Sequence, residues 1–202
     1  ETLAAAMVSL SRPREGVLTV DPMCGSGTIP IEAALLCTNT APGINRSFAG
    51  EKLPFIDGKL WTAAREEALS AVKPWNGEIY GFDIDPECVE ISRQNAKRAG
   101  VDKIVKFAVG DVRRFKSPVE GARGTIVSNP PYGERMGDKG EVEKLYAEMG
   151  KAFAAEVPSW QIYVLNSNEA FPRCFGRRAD KARKLYNGMI PCTFYQYFKK
   201  TH

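Results

Sequence analysis

A short motif, Asn129-Pro130-Pro131-Tyr132, directly follows an apolar run at 124–128 that is predicted to be a buried strand. Proline has a fixed φ and no backbone N–H, so the two prolines stiffen the chain and leave carbonyl acceptors without adjacent donors. Together with the side-chain oxygen of Asn129, these carbonyls can accept both hydrogens of an exocyclic amino group. Tyr132 offers a flat face on which a flipped base can stack, a contact worth ~1–3 kcal/mol in nucleic-acid complexes. The motif predicts chemistry on a nucleobase amine, and a proline turn with a packing tyrosine is the alternative.

A second motif, residues 21–28 (DPMCGSGT), connects a predicted strand to a predicted helix. Ligands of open α/β sheets bind at the carboxyl ends of strands, and Gly25 and Gly27 would let a ligand approach the backbone closely. The dinucleotide fingerprint requires a third glycine where this chain has Pro30, and the lysine of a phosphate-binding loop is missing. The loop begins instead with Asp21, which suits a ligand with an ammonium or hydroxyl groups. S-adenosylmethionine has both, and a glycine-rich turn without a ligand is the alternative.

Two further carboxylates follow predicted strands. Asp83 ends the second strand, where it can accept hydrogen bonds from two ribose hydroxyls, and Ile84 can pack against an adenine ring. Asp111 follows the third strand and can accept a hydrogen bond from an adenine amino group, although a turn or helix-cap carboxylate is the alternative. Asp85 is predicted to be a helix N-cap because Pro86 follows it at the first helical position.

The elements that must position these motifs alternate along the chain. The predicted strands cover 16–21, 78–83, 104–109, 124–128 and 160–165, and the predicted helices cover 3–10, 28–37, 86–99 and about 141–156. This alternation is typical of a Rossmann-like α/β fold, a mostly parallel sheet with helices on both faces. Residues 38–76 interrupt it and are interpreted as an insertion with a helix at about 59–72. Two strand-like runs at 182–199 flank Asn187-Gly188, which predicts a terminal antiparallel hairpin.

Composition limits the possible classes of function. The chain has 202 residues and a net charge of +4, which fits one domain and permits a nucleic-acid partner without requiring one. His202 is the only histidine, so a histidine base or histidine metal site is not expected. The five cysteines form no C-x-x-C pair, which favours a reducing cytoplasm and no structural metal. No apolar run approaches the ~18 residues of a membrane span. Because the chain begins at Glu1 within a helical pattern, we expect a fragment of a longer protein.

The motifs, taken in order, resemble those of class I S-adenosylmethionine-dependent amino-methyltransferases. More narrowly, nearly the whole chain is similar to the catalytic half of bacterial 23S ribosomal RNA guanine-N2 methyltransferases that carry a THUMP domain. The similar runs are ETLAAAM at 1–7, DPMCGSGTIPIEAA at 21–34, APGINRSFA at 41–49, NPPYGERMG at 129–137 and KLYNGMIPC at 184–192. The resemblance implies a seven-stranded sheet closed by the terminal hairpin, one catalytic domain over 1–202, and a THUMP region that lies outside this chain. It also implies ribosomal RNA as substrate and N2-methylguanosine as product.

The candidate site follows from the motifs and this resemblance. Asn129 and the Pro130 carbonyl are expected to hold the amino group, and Tyr132 to stack on the base. The expected cofactor-binding residues are Asp21, Cys24, Gly25, Gly27, Thr28, Asp83, Ile84, Asp111, Val112 and Asn129. The side chain of Cys24 is expected to pack rather than to act as a nucleophile. No strong base is required, because the proton can leave after transfer.

Several alternatives stay open from the sequence. The motif Asn-Pro-Pro-Tyr also serves adenine amines, so an adenine-N6 methyltransferase acting on DNA or RNA is the second hypothesis. A nucleic-acid-binding module without catalytic activity is the third. The basic run at 173–184 is either a solvated surface or a phosphate-contacting patch. RNA contacts by Arg46, Trp61 and Arg65 of the insertion are a further hypothesis. Another is that Glu134 and Arg135, which follow the motif, shape the base pocket.

Overall fold

A seven-stranded sheet forms the centre of the protein in the computed structural model, which describes residues 1–133 and 139–198. Its strands are β1 (Leu18–Asp21), β2 (Ile79–Asp83), β3 (Val105–Val109), β4 (Gly124–Ser128), β5 (Gln161–Asn166), β6 (Lys181–Asn187) and β7 (Ile190–Tyr197). They lie in the order β3-β2-β1-β4-β5-β7-β6. Strands β1 to β5 pair in parallel, and β7 runs antiparallel to both β5 and β6. The predicted Rossmann-like sheet with an antiparallel terminal hairpin is confirmed: this is the class I methyltransferase fold.

Helices cover both faces of the sheet. They are α1 (Thr2–Ser11), α2 (Thr28–Cys37), α3 (Gly58–Ser70), α4 (Pro86–Ala99), α5 (Lys139–Glu156) and the short α6 (Phe171–Phe175). One buried apolar cluster joins α1, α2 and α4 to the sheet, and a second joins α5 and α6 to the opposite face. The second cluster is rich in aromatic rings in edge contact, such as Phe115 against Phe153 at 5.4 Å between ring centres. The sheet is therefore buried on both faces, which explains why its central strands are continuous apolar runs.

Local sequence signals explain where the helix α4 begins and ends. The Asp85 side chain accepts a hydrogen bond from the Glu87 amide at 2.8 Å, and Pro86 occupies the first turn. Gly100 ends the helix with a φ of 75°, a left-handed conformation that glycine adopts without strain. The predicted N-cap role of Asp85 is thus confirmed.

Element boundaries differ from the predicted ones by a few residues. The first strand begins at Leu18 rather than at residue 16, because a turn occupies the residues before it. The helix of the insertion is α3, which begins after Asp57, whose side chain accepts a hydrogen bond from the Lys59 amide. The short helix α6 was not predicted, because five residues are too few for a clear apolar period.

The insertion at 38–76 is held by its own contacts. The guanidinium of Arg65 donates to the carbonyls of Ile44 and Arg46 and pairs with Glu51 at 2.6 Å. Trp61 stacks on Phe48, with 5.8 Å between the ring centres. Arg65 and Trp61, two of the three predicted RNA contacts here, therefore serve packing within the insertion. The third, Arg46, pairs with Glu1 across the surface.

Candidate active site

The backbone of the loop after β1 is held by hydrogen bonds to β2 and α4. The Cys24 amide donates to the Phe82 carbonyl at 2.8 Å, and the Gly25 amide donates to the Asp83 carboxylate at 2.9 Å. From α4, the Ser92 hydroxyl donates to the Gly25 carbonyl at 2.7 Å, and the Asn95 side chain donates to the Ser26 carbonyl at 3.0 Å. These bonds hold the loop against the end of β2, so Asp83 shapes the loop in addition to facing the cavity described below.

The two glycines of this loop have different reasons to be glycine. Gly25 has a φ of 53°, and a Cβ atom built there would meet nothing within 4 Å. The Cβ of a residue at Gly27, in contrast, would lie 3.0 Å from both Phe107 and Ser92. The backbone is therefore open to a ligand at Gly25, whereas Gly27 allows the close packing of the loop on β3 and α4. Thr28 begins α2 directly after this turn.

Asp21 ends β1 and is almost fully buried, with 2% of its surface exposed. Its Oδ1 atom accepts hydrogen bonds from the Ser128 hydroxyl at 2.8 Å and from the Met23 amide at 3.1 Å. Burial outweighs these bonds and raises the pKa of Asp21 to about 7. The neighbouring Cys24 thiol is also buried, and burial together with the Asp21 charge raises its pKa, so it stays protonated at neutral pH. The predicted packing role of the Cys24 side chain agrees with this placement.

A cavity of about 560 Å³ lies beside this loop, at the carboxyl ends of β2 and β3. It brings together four of the predicted cofactor-binding residues, which are Asp83, Ile84, Asp111 and Val112. Ile84 is 58% exposed and offers an apolar surface, while the two carboxylates supply hydrogen-bond acceptors. An apolar cleft of this size that contains a few polar groups is suited to a nucleoside-containing ligand. The residues present therefore fit the adenosine part of S-adenosylmethionine.

Asp111 combines the two roles considered for it. Its carboxylate caps the short 3-10 helix Val112–Arg114 by accepting from the Arg113 amide at 3.0 Å, and it also lines the cavity. The Arg113 guanidinium pairs with it at 2.7 Å, and this bond lowers the pKa of Asp111. Sequence reasoning missed Arg113, although a basic residue two positions after a cap carboxylate is a usable signal.

The Asn129-Pro130-Pro131-Tyr132 motif leaves β4 at the border of the cavity, which Pro131 lines. The Tyr146 hydroxyl of α5 donates to the Pro131 carbonyl at 2.6 Å, and the Asn168 side chain donates to the Tyr132 carbonyl at 3.2 Å. Within residues 1–133 and 139–198, no hydrogen bond reaches the Pro130 carbonyl. Asn129 is exposed, so its side-chain oxygen is open to a ligand, whereas Pro130 is buried.

The Tyr132 side chain is half-buried and contacts its own motif. Its hydroxyl donates to Asn129 Oδ1 at 2.6 Å, and the Cys192 thiol of β7 lies 3.7 Å from the same hydroxyl. Burial, followed by the Cys192 thiol, raises the pKa of Tyr132. The ring packs against the apolar cluster that includes residues of α1 and α2. This arrangement orients the Asn129 amide, while the expected stacking of Tyr132 on a base stays a prediction.

Sequence reasoning missed the residues that hold this motif from a distance. Asn166 ends β5, and its Oδ1 accepts from the Asn168 amide at 2.7 Å, which fixes the turn that carries Asn168. The pair Asn166 and Asn168 at a strand end is a recognisable signal. Tyr146 gave none, because a tyrosine on the buried face of an amphipathic helix looks like any core residue.

The remaining predicted residues are only partly described. Glu134, Arg135 and His202 lie outside the described residues. In the basic run, Arg173 pairs with Glu143 at 3.2 Å, and Arg177 donates to the Phe198 carbonyl at 2.7 Å. Its other basic side chains that the structure describes are exposed, and they are Arg178, Lys181, Arg183 and Lys184.

The described part of the chain offers neither a candidate metal cluster nor a helix that could span a membrane. Residues 1–133 and 139–198 include no group of three or more His, Cys, Asp and Glu side chains arranged to hold a metal ion. In the same ranges, every helix is too short or too polar to cross a membrane.

Comparison with known proteins identifies relatives along the whole chain. Residues 1–196 match the family UPF0020, described as an RMKL-like methyltransferase domain. The Bacillus subtilis (strain 168) protein YpsC, provisionally named an RNA methyltransferase, is 46% identical over 99% of this chain and 51% of its own length. The ribosomal RNA large subunit methyltransferase K/L of Aliivibrio salmonicida is 40% identical over 95% of this chain and 28% of its own length. The chain thus spans about half of the first relative and less of the second.

Solved structures agree with this assignment. A possible methylase from Clostridium difficile 630 has a TM-score of 0.91 at 47% identity, over all of this chain and 53% of that one. The protein SMU.472, provisionally a methyltransferase and solved with SAH, has a TM-score of 0.89 at 42% identity, over 99% and 52%. A predicted N6-adenine-specific DNA methylase from Listeria monocytogenes str. 4b F2365 has a TM-score of 0.86 at 42% identity, over 98% and 51%. The chain therefore belongs to the RMKL-like methyltransferase domain family, and its cofactor is S-adenosylmethionine.

Proposed function

We propose that this domain transfers a methyl group from S-adenosylmethionine to the exocyclic N2 amine of a guanine in 23S ribosomal RNA. The observation that carries the proposal is the pair of acceptors at the end of β4. The Asn129 side chain is exposed, the Pro130 carbonyl accepts no hydrogen bond within residues 1–133 and 139–198, and Pro131 of the same motif lines the cavity that suits the cofactor.

The chemistry requires an amine whose lone pair points at an electrophile. When bound, S-adenosylmethionine supplies that electrophile as the methyl group of its sulfonium. The Asn129 Oδ1 and the Pro130 carbonyl accept the two N–H hydrogens of the amine, which turns its lone pair out of conjugation with the base. The amine loses one proton to water after transfer, so the domain acts by positioning and electrostatics rather than by a strong base.

The bonds to the loop carbonyls support this division of roles. Tyr146 and Asn168 occupy the carbonyls of Pro131 and Tyr132, so a substrate amine competes for neither of them. The Tyr132 hydroxyl uses one lone pair of Asn129 Oδ1 and leaves the other for the substrate. A loop held in this way keeps its acceptors in place before the substrate arrives, which lowers the entropic cost of binding.

Large-subunit ribosomal RNA is proposed as substrate because the K/L relative carries that activity in its name. Guanine N2 rests on the resemblance of the motifs to guanine-N2 methyltransferases. A THUMP region elsewhere in the protein, one catalytic domain over residues 1–202, the absence of a resident metal and a cytoplasmic location belong to the same proposal.

An adenine-N6 amine is the second candidate substrate. The Listeria monocytogenes structure is described as a predicted N6-adenine-specific DNA methylase. Both amines are exocyclic NH2 groups on a purine, so two carbonyl acceptors serve either of them. A binding module without catalysis is disfavoured, because the sequence retains Asp21, Gly25, Asp83 and Asn129. Asp83 accepts a hydrogen bond from the cofactor loop and also lines the cavity, which supports a working cofactor site.

A nucleoside analysis tests the proposal. The domain is incubated with isotopically labelled S-adenosylmethionine and, in separate reactions, unmodified 23S ribosomal RNA, transfer RNA and duplex DNA. We expect label in N2-methylguanosine from the ribosomal RNA alone. Label in N6-methyladenosine would overturn the assignment of the base, and label only from transfer RNA or DNA would overturn the substrate class. Binding of the cofactor without transfer to any of the three would point to the proposed THUMP region outside residues 1–202 as the part that binds RNA.

A further inference from the structure

We propose that the tip of the terminal hairpin, formed by residues 186–190 between β6 and β7, contacts the RNA strand that presents the target base. This inference rests on the proposed function, because it takes RNA as the occupant of the surface. We assign the contacts with RNA to Tyr186 and Met189 of this tip and to the neighbouring Lys184.

The tip carries apolar side chains that the fold does not use. Met189 is 94% exposed and Tyr186 is 55% exposed, although both lie at a tight turn where polar residues are common. Gly188 has a φ of 62°, as in an ordinary Asn-Gly hairpin turn, and such a turn does not require apolar side chains at the neighbouring positions. Single exposed apolar residues are normal on protein surfaces, and the case for a contact depends on where this tip lies.

The hairpin turn projects from the same edge of the sheet as the acceptor motif. The antiparallel register pairs Asn166, at the carboxyl end of β5, with Thr193, so the turn lies beyond that end. The Cys192 thiol lies 3.7 Å from the Tyr132 hydroxyl, which joins the hairpin to the motif directly. Neither partner in this contact is exposed, so the hairpin has a fixed position beside the acceptors.

The cofactor cavity lies on the other side of the motif. It is lined by Asp83 and Asp111, at the ends of β2 and β3, and reaches as far as Pro131. In the sheet order, β4 separates these strands from β5, β7 and β6. Since the cofactor and the acceptor base must meet at the motif from different directions, the hairpin flanks the side that is left for the RNA.

The charge of the hairpin matches a polyanion. Strand β6 carries Lys181, Arg183 and Lys184, all exposed, and no acidic residue. The Lys184 ammonium lies 5.3 Å from the centre of the Tyr186 ring, so a phosphate contact and a stacking surface are adjacent. Lysines on an edge strand also prevent sheet extension, but that role leaves the exposed Tyr186 and Met189 unexplained.

A base that leaves its stack needs a replacement for its lost neighbours. An aromatic ring supplies a face for a flanking base, and an unbranched apolar side chain can act as a wedge between base steps. Tyr186 and Met189 have these two shapes. The hairpin therefore supplies contacts to the nucleotides next to the target, whereas the motif supplies contacts to the target amine.

Steady-state methylation of in vitro transcribed 23S ribosomal RNA tests the assignment, using the variants Met189→Ala and Tyr186→Ala. We expect each to raise the KM for RNA roughly 10-fold while kcat and the KM for S-adenosylmethionine change less than about twofold. Ile91→Ala is the matched control, because Ile91 is an exposed apolar residue of α4, and it should change none of the three constants.

The charge contact has its own test. Lys184→Gln should reduce the slope of log affinity for RNA against log salt concentration by about 1. Lys97→Gln makes the same substitution at an exposed lysine of α4 and should leave the slope unchanged. An unchanged KM in both apolar variants, with transfer intact, overturns the hairpin assignment and leaves the proposed function standing. Transfer to DNA but not to RNA by the unmodified chain contradicts the proposed function and, with it, RNA as the occupant of the hairpin.

Discussion

The two halves of the carboxyl edge of the sheet are held in different ways. The cofactor loop at 21–28 is held by β2 and α4 through both amides and carbonyls of its backbone, as in the bond from the Gly25 amide to Asp83. The acceptor motif at 129–132 is held through its carbonyls, by the side chains of Tyr146 of α5 and Asn168 after β5.

Proline is the reason for this difference. Pro130 and Pro131 have no backbone N–H to donate, so the backbone at these two positions can be anchored only through its carbonyls. The donors must come from other elements, and here they come from a helix and a strand end on the far side of the motif. A glycine-rich loop keeps its amides and so can be held by the strand beside it. Both halves therefore depend on residues distant in the chain, but the backbone of the cofactor loop is held through amides and carbonyls, and that of the acceptor motif through carbonyls.

The largest expected effect separates the two halves by function. Asn129→Ala removes the exposed acceptor and should lower kcat roughly 100- to 1,000-fold, the usual effect of losing one group that stabilises the reacting atoms. Binding of S-adenosylhomocysteine should be unchanged, because Asn129, although expected from the sequence to contact the cofactor, does not line the cavity and takes no part in the bonds of the cofactor loop. Single-turnover methylation and calorimetry measure the two quantities.

Asn95→Ala is the matched substitution in the other half. It removes the side-chain bond to the Ser26 carbonyl and should raise the KM for S-adenosylmethionine a few-fold with little change in kcat. If both variants lost cofactor affinity to the same extent, the division between the halves would be wrong.

The next effect concerns the bond that joins the halves, from the Ser128 hydroxyl to Asp21. Because burial raises the pKa of Asp21 from 3.8 in the unfolded chain to about 7 in the folded one, its carboxyl stabilises the fold at low pH. That stability is lost as the pH rises through about 7. Asp21→Asn cannot titrate, so its free energy of unfolding should rise relative to the wild type by about 2 kcal/mol between pH 5 and pH 8.

Urea denaturation of both proteins without cofactor, at the two pH values, gives this difference directly. Other titrating groups are shared by the two proteins and cancel in the comparison. A difference that stays constant with pH would mean that the Asp21 carboxylate is ionised in the folded protein throughout this range.

The sequence was sufficient for the features that depend on local contacts. The alternation of strands and helices, the turn at Asn187-Gly188 and the capping of α4 by Asp85 all depend on neighbouring residues, and all are found in the structure. The carboxylates Asp83 and Asp111 were located by their places after strands, since the ends of parallel strands share one edge.

What the sequence could not supply was pairing over long distances. Nothing near β7 indicates that it inserts between β5 and β6, because that order is decided by the register of residues far apart in the chain. For the same reason, the bond from Tyr146 to the Pro131 carbonyl, 15 residues away, has no local signature.

A smaller effect on kcat than that of Asn129→Ala tests whether that distant bond matters for transfer. Tyr146→Phe keeps the fully buried ring and its edge contact with Phe171 but removes the hydroxyl that holds the Pro131 carbonyl. Stability should fall by about 1 kcal/mol, and kcat should fall roughly 10-fold because the acceptors of the loop are less well positioned. Thermal denaturation and single-turnover kinetics measure these changes.

Tyr197→Phe makes the matched test, because Tyr197 is equally buried, yet its hydroxyl has no hydrogen-bond partner within residues 1–133 and 139–198. Tyr197 pairs with Ile162 near the amino end of β5, whereas the acceptor motif lies at the carboxyl ends of the parallel strands. Removal of this hydroxyl should leave kcat unchanged and leave stability equal or higher, since an unpaired buried polar group costs free energy. A loss of kcat in both variants would show that transfer depends on the packing of the core in general. A loss in Tyr146→Phe alone assigns it to the bond that anchors the loop, and so to the half of the edge that proline leaves without donors of its own.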